Sequence, residues 1–153
     1  MSGRDLKDDA VEAPEAILAR AGARARKMAL SYAGAITPAE AYRLREAGVA
    51  TIVDVRTQPE YHLVGHVAGT PLIEWPREGD RFALAGFLEE LRASFDPTQA
   101  LLFLCRSGVR SHFAAQLAAH AGFGSAYNVL EGFEGESGAG NGWRNAGLPW
   151  ERV

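Results

Sequence analysis

Apolar and polar positions alternate along this chain with two periods, and they divide it into helices and strands. From Pro14 to Leu30 the residues Leu18, Ala21, Ala25 and Met28, followed by Tyr32, recur at helical spacing and predict one amphipathic helix. Pro14 stands where a first-turn proline is tolerated. The segment before it, 1–12, is polar and reads as frayed. Thr37-Pro38-Ala39-Glu40 is a capping box with proline at the first helical position, and Gly48 is a suitable left-handed stop for the helix it opens. Val49 to Val53 is short, β-branched and apolar on both faces, the pattern of a buried strand. A helix is predicted over 81–95, with Leu84, Leu88, Leu91 and Phe95 on one stripe. After the turn Asp96-Pro97-Thr98-Gln99, the run Ala100 to Leu104 predicts a central strand that stops at Cys105. A helix follows over 109–121, with Phe113, Ala114, Leu117, Ala118 and Ala121 facing inward, and Ala126 to Leu130 is the last strand. Residues 131–142 carry five glycines and read as a surface loop.

Strands alternating with helices imply an α/β fold, a mostly parallel sheet covered on both faces. In such sheets the functional site lies beyond the carboxyl ends of the strands, here Asp54-Val55-Arg56 and Cys105 onward. Composition narrows the class without changing this picture. The chain has 153 residues, 47% hydrophobic and 23% charged, which suits one globular domain and argues against a disordered chain. Its net charge of −3 gives no support for nucleic-acid binding. One cysteine cannot form an internal disulfide. No apolar run has the length of a membrane span, and Arg4, Asp5, Lys7, Asp8 and Asp9 leave no signal-peptide core. The expectation is therefore a soluble cytoplasmic protein. The cluster Arg20, Arg24, Arg26 and Lys27 is read as a solvated face that suits the helix dipole, in preference to a patch for an acidic partner or a membrane.

The chemistry concentrates at Cys105-Arg106-Ser107-Gly108-Val109-Arg110-Ser111, which joins the central strand to a helix start. A sulfur there faces unpaired backbone N–H groups and the positive end of a helix dipole, with Arg106 and Arg110 adding cationic charge. All three effects favour the ionised sulfur. Gly108 lets the loop curl so that several N–H groups point into one hollow. Cysteine phosphatases use a similar cradle of the form Cys-x5-Arg. Here four residues separate Cys105 from Arg110, a tighter ring that favours a single added sulfur over phosphate.

With these residues the chain resembles the single-domain rhodaneses, a family of sulfurtransferases. The loop matches the family's Cys-x-x-Gly-x-Arg-Ser form. Asp54-Val55-Arg56, then Glu60-Tyr61 and Gly65-His66-Val67-Ala68-Gly69, match its upstream signature. Asn128 to Gly135, Gly142-Trp143-Arg144 and Gly147 to Trp150 match its C-terminal segment. The likeness spans Thr37 to Trp150 and sets a helical extension, 1–31, apart from a rhodanese domain, 32–153. It implies a five-stranded, mostly parallel sheet. It also implies a cycle in which Cys105 takes a sulfane sulfur from an anionic donor such as thiosulfate, becomes a persulfide, and yields the sulfur to cyanide or a thiol, which can be a protein thiol. In that scheme the loop N–H groups steady the terminal sulfur, Arg106 attracts the donor and Arg110 braces the loop, with no metal or organic cofactor. The segment Gly69-Thr70-Pro71-Leu72-Ile73-Glu74-Trp75 departs from the family's usual form.

Other residues take supporting readings. Arg56 and Glu60, four apart, are expected to pair beneath the loop. Asp54 is expected to anchor loop backbone at its strand end, and His66 to serve as a structural hydrogen-bonder. His62 and His66 have the spacing of a zinc pair, but Gly65 and the lack of a third ligand weigh against a metal. His112 reads as a solvated helix residue near the pocket rim. Trp75 and Trp143 are candidate pocket walls, with core packing as the alternative. Two other function classes remain open: a small cysteine phosphatase or arsenate reductase, and a noncatalytic module that uses the same shell for binding.

Overall fold

A computed structural model describes residues 12–77 and 80–152. Most of the polar segment 1–12 lies outside them. The elements are α1 (Pro14–Lys27), β1 (Gly34–Ile36), α2 (Pro38–Glu46), β2 (Thr51–Asp54), a single π-helical turn (Glu60–Val64), α3 (Arg81–Ser94), β3 (Leu101–Leu104), α4 (Val109–His120) and β4 (Ala126–Val129). The strands form one parallel sheet in the order β1-β4-β3-β2. β3 lies between β4 and β2, and its successive side chains face opposite layers, as in any strand. Leu101 and Phe103 join Val53, Phe87, Leu91, Ala114 and Ala118 under α3 and α4. Leu102 and Leu104 join Ile17, Ala21, Ala41, Leu44 and Trp143 under α1 and α2.

The sheet has four strands where five were expected. The missing one is reduced to a single parallel bridge, Asp54 to Leu72. The backbone there still bonds to β2, with Ile73 N–H donating to Asp54 O and Trp75 N–H to Val55 O, both at 2.9 Å. Pro71 and Pro76 flank the segment, and neither has an N–H to extend the ladder.

The capping box on α2 forms as its residues predict. Thr37 Oγ1 accepts from Glu40 N–H at 3.2 Å and Glu40 Oε1 accepts from Thr37 N–H at 2.9 Å. The same Glu40 carboxylate reaches α1, meeting Arg24 Nη1 at 2.7 Å and Arg20 Nε at 2.8 Å. Arg20 and Arg24 are thus not merely a solvated face; they tie α1 to α2. The buried face of α1 is Ile17, Ala21 and Ala25, offset by one residue from the expected stripe at its start, and Met28 is exposed because the helix ends at Lys27. Phe113, expected inward, is 47% exposed. Ala114 and Ala118 are buried as expected, Ser111 and Ala115 complete the buried face of α4, and these small residues let the helix lie close to the sheet. Among the described residues no helix is long and apolar enough to cross a membrane.

Candidate functional site

The site forms where β2 and β3 end. Neighbouring parallel strands stop in register, Asp54 beside Leu104, so Val55-Arg56 and Cys105-Arg106 leave the sheet side by side. Cys105 is 1% exposed. Gly108, at φ +101°, caps α4 and turns its N–H onto Cys105 Sγ at 3.1 Å. The amides of Arg106, Ser107, Val109 and Arg110 donate to no acceptor among the described residues. The loop's carbonyls are engaged on the other side: Phe133 N–H donates to Cys105 O at 2.8 Å and Glu134 N–H to Arg106 O at 2.9 Å. The loop therefore presents N–H groups on one side and binds the 132–134 segment with the other.

Ser111 Oγ stands 3.2 Å from Cys105 Sγ and donates to Asn128 Oδ1 at 2.6 Å. Asn128 Nδ2 in turn donates to Gly108 O at 3.2 Å, which fixes the amide's orientation. Asn128 belongs to this polar cluster and was not singled out from the sequence. Its signal was there: an amide inside a short strand that is buried at every position.

The arginines find partners other than those expected. Arg56 pairs with Asp54, not Glu60: Nη2 to Oδ2 is 2.8 Å and both side chains are wholly buried. Arg56 lies at a bend two residues past the end of β2, where Asp54 meets its guanidinium. Arg56 Nη2 also donates to Gly65 O at 2.7 Å, and the guanidinium lies over the Phe133 ring, 4.5 Å from its centre. Asp54 Oδ1 accepts from Arg56 N–H at 3.0 Å and so holds the backbone at the strand end. Glu60 is gripped by Arg110 through two bonds of 2.8 Å, which links the π-turn to the start of α4. Arg106 is 63% exposed and its Nε lies 3.4 Å from Glu134 Oε2.

His66 is buried, stacked on Tyr61 at 4.0 Å, with Nδ1 bonded to Tyr61 O at 2.9 Å and Nε2 3.2 Å from Glu151 Oε2. His112 is half-buried, with Nδ1 2.7 Å from Tyr32 Oη. The two tryptophans sit in different layers of the core. Trp75 packs edge-on against Phe87 and, with Leu84, Phe113 and Leu117, lines a separate cavity of about 500 Å³ between α3 and α4. The extended 71–75 segment carries it there along the outer edge of β2. Trp143 is fully buried in the core, edge-on to Tyr42, and its Nε1 donates to Pro149 O at 2.8 Å.

Two carboxylates of these networks titrate far from their ordinary range. The hydrogen bonds from Arg110 outweigh burial and hold Glu60 down to about 2, against an ordinary 4.5. Burial would raise Glu40, yet bonds from Arg24, Thr37 N–H and Arg20 bring it down to about 2 as well. A depressed carboxyl stabilises the fold above its unfolded value and loses that contribution as pH falls toward its folded value. Acid unfolding should therefore steepen between pH 4.5 and about 2, each group contributing on the order of 2 kcal/mol. Urea midpoints measured across that window should flatten in Glu60→Gln and Glu40→Gln, and an unchanged slope in both contradicts the assignment.

The chain is similar to known proteins in sequence and fold. The model of the rhodanese-like domain matches residues 37–138. An uncharacterized protein of Rickettsia prowazekii is 37% identical over 105 residues, covering 67% of this chain and 83% of the relative. The thiosulfate sulfurtransferase GlpE of Pseudomonas aeruginosa strain LESB58 is 34% identical over 99 residues, covering 65% of this chain and 79% of that enzyme. Among solved structures, Rv0390 from M. tuberculosis aligns with a TM-score of 0.68 at 39% identity, over 80% of this chain and 99% of that one. The polysulfide-sulfur transferase homodimer of Wolinella succinogenes aligns at 0.56 with 25% identity, over 96% of this chain and 91% of that one. A parallel sheet ending in this cysteine cradle, matched by a family model over most of the chain, settles the kinship: the protein belongs to the rhodanese-like domain family.

Proposed function

We propose that the protein is a sulfurtransferase that moves a sulfane sulfur from thiosulfate to cyanide or a thiol, a protein thiol included, through a persulfide on Cys105. The observation that carries this reading is the Gly108 N–H aimed at Sγ, beside loop amides that donate to no acceptor among the described residues. The similarity to GlpE and to the polysulfide-sulfur transferase supports the same chemistry.

The Cys105 thiolate attacks the outer sulfur of thiosulfate. The S–S bond of the donor breaks, its electron pair leaves with sulfite, and Cys105 carries –S–S⁻. Cyanide or a thiolate then attacks the terminal sulfur, forming thiocyanate or a new persulfide and returning the thiolate. No net oxidation occurs, so no cofactor is called for. Splitting one transfer into two is covalent catalysis. The ring of N–H groups receives the terminal sulfur anion as an oxyanion hole receives oxygen. Arg106, exposed at the rim, draws the anionic donor. Arg110, through Glu60, keeps the loop in place, and Asp54 with Arg56 seals its base. The reaction belongs in the cytoplasm, where a lone thiol stays reduced.

Incubation with thiosulfate and cyanide tests the reading. Thiocyanate should form at a saturable rate, and an aryl phosphate should not be hydrolysed. Phosphate release without thiocyanate would place the protein among cysteine phosphatases. Neither product would leave a noncatalytic binding shell.

A further inference from the structure

Each arginine of the site has a carboxylate beside it, and the pairs differ in how firmly they are closed. Arg56 is sealed against Asp54, and Arg110 is held twice by Glu60. Only Arg106 has a loose partner: Glu134 Oε2 lies 3.4 Å from its Nε, an ion contact on a side chain that remains 63% exposed. The other Glu134 oxygen is 3.9 Å from Arg144 Nη2. The Glu134 carboxylate does not wander there by chance. Its own N–H donates to Arg106 O, Arg144 N–H donates to Phe133 O at 3.1 Å, and Gly132 packs directly on the loop carbonyls, so the backbone holds Glu134 beside Arg106.

We propose that Glu134 determines donor specificity, as a built-in anion that competes with the incoming donor for Arg106. This deepens the sulfurtransferase reading and rests on it. Repulsion from a fixed carboxylate scales with the charge of what approaches. A dianion such as thiosulfate is opposed twice as strongly as a singly charged alkyl persulfide. With Arg106 and Arg144 both beside it, Glu134 lessens without reversing the pull on a dianion, and so narrows the advantage thiosulfate holds over a sulfane sulfur carried on an organic thiol.

Glu134→Gln keeps the shape and removes the charge. It should lower KM for thiosulfate by roughly five- to tenfold while leaving kcat within about twofold. KM for a short alkyl persulfide should fall by less than about half as much on a logarithmic scale. The thiosulfate gain should shrink as salt is added, which a merely structural effect would not do. Glu134→Asp should return KM toward the wild-type value. Sulfate, a dianion with no sulfur to give, supplies a readout independent of turnover: its protection of Cys105 against alkylation should strengthen by a similar factor in Glu134→Gln. Unchanged sulfate protection, or equal gains for both donors, overturns the proposal even if sulfur transfer proceeds. Stronger sulfate protection with no transfer from either donor would keep Glu134 as the guard of an anion site and remove the sulfurtransferase reading.

Discussion

Cys105→Ser is expected to lower thiosulfate-to-cyanide turnover by at least about a thousandfold while leaving the fold intact. The sulfur lies buried between Gly108 N–H and Ser111 Oγ, and a serine oxygen occupies nearly the same space with the same polar neighbours. Stability should therefore change by no more than about 1 kcal/mol. The chemistry cannot survive the exchange. A serine hydroxyl is not ionised near neutral pH, and its oxygen does not take up a sulfane sulfur as a thiolate does. Thiocyanate assays at matched melting temperatures separate the two effects. Residual turnover within about tenfold of wild type would mean that donor and acceptor react directly on the protein, with the loop acting only as a template.

Gly132→Ala should damage both stability and activity, because the glycine is the contact through which the chain's last third holds the cradle. Its φ is +68°, a conformation that costs an L-residue on the order of 1 kcal/mol. A Cβ there would sit 2.6 Å from Cys105 O and still closer to Arg106 O. Both are backbone atoms and cannot step aside as a flexible side chain would. The bonds Phe133 N–H to Cys105 O and Glu134 N–H to Arg106 O would have to lengthen, and the loop would turn its N–H ring away from Sγ. A loss of about 3 kcal/mol, or about 10 °C in Tm, is expected, with turnover down at least about a hundredfold. Gly138→Ala is the matched control. Its φ is +76° but a Cβ there meets nothing within 4 Å, so only the conformational cost should appear, with turnover unchanged. Equal activity losses in the two variants would show that the cradle does not depend on Gly132.

Most of the fold was legible in the sequence because its elements carry local signals. The capping box at Thr37, the all-apolar run before Cys105 and the helix stops at glycine each determine structure within a few residues. β1 was not foreseen. Gly34-Ala35-Ile36 is three residues long and has little strand propensity, and it is a strand because it lies against Tyr127 and Ala21. That approach is so close that a Cβ on Gly34 would stand 2.8 Å from both. The expected fifth strand rested on family resemblance, and two prolines cut it to a bridge.

The candidate site divides the same way. The motif placed Cys105, Gly108 and Ser111 together because they lie within one loop. Pairing between distant segments was harder to read. Spacing suggested Arg56 with Glu60, whereas the strand end hands Arg56 to Asp54 and the π-turn offers Glu60 to Arg110 across fifty residues. Trp75 and Trp143 were placed by type alone, and their positions depend on how the 71–75 segment and the C-terminal tail run over the surface. Asn128 carried a signal as the lone amide of an apolar strand, whereas Glu134 becomes visible only once the loop after β4 is set beside the cradle.

The central claim is that Cys105 itself carries the transferred sulfur. Intact-protein mass spectrometry before and after exposure to thiosulfate tests it most directly. The account predicts a gain of one sulfur atom, mapped to Cys105, lost on adding cyanide and never acquired by Cys105→Ser. Thiocyanate formation with no mass gain at any donor concentration, or the same gain in the serine variant, would contradict it.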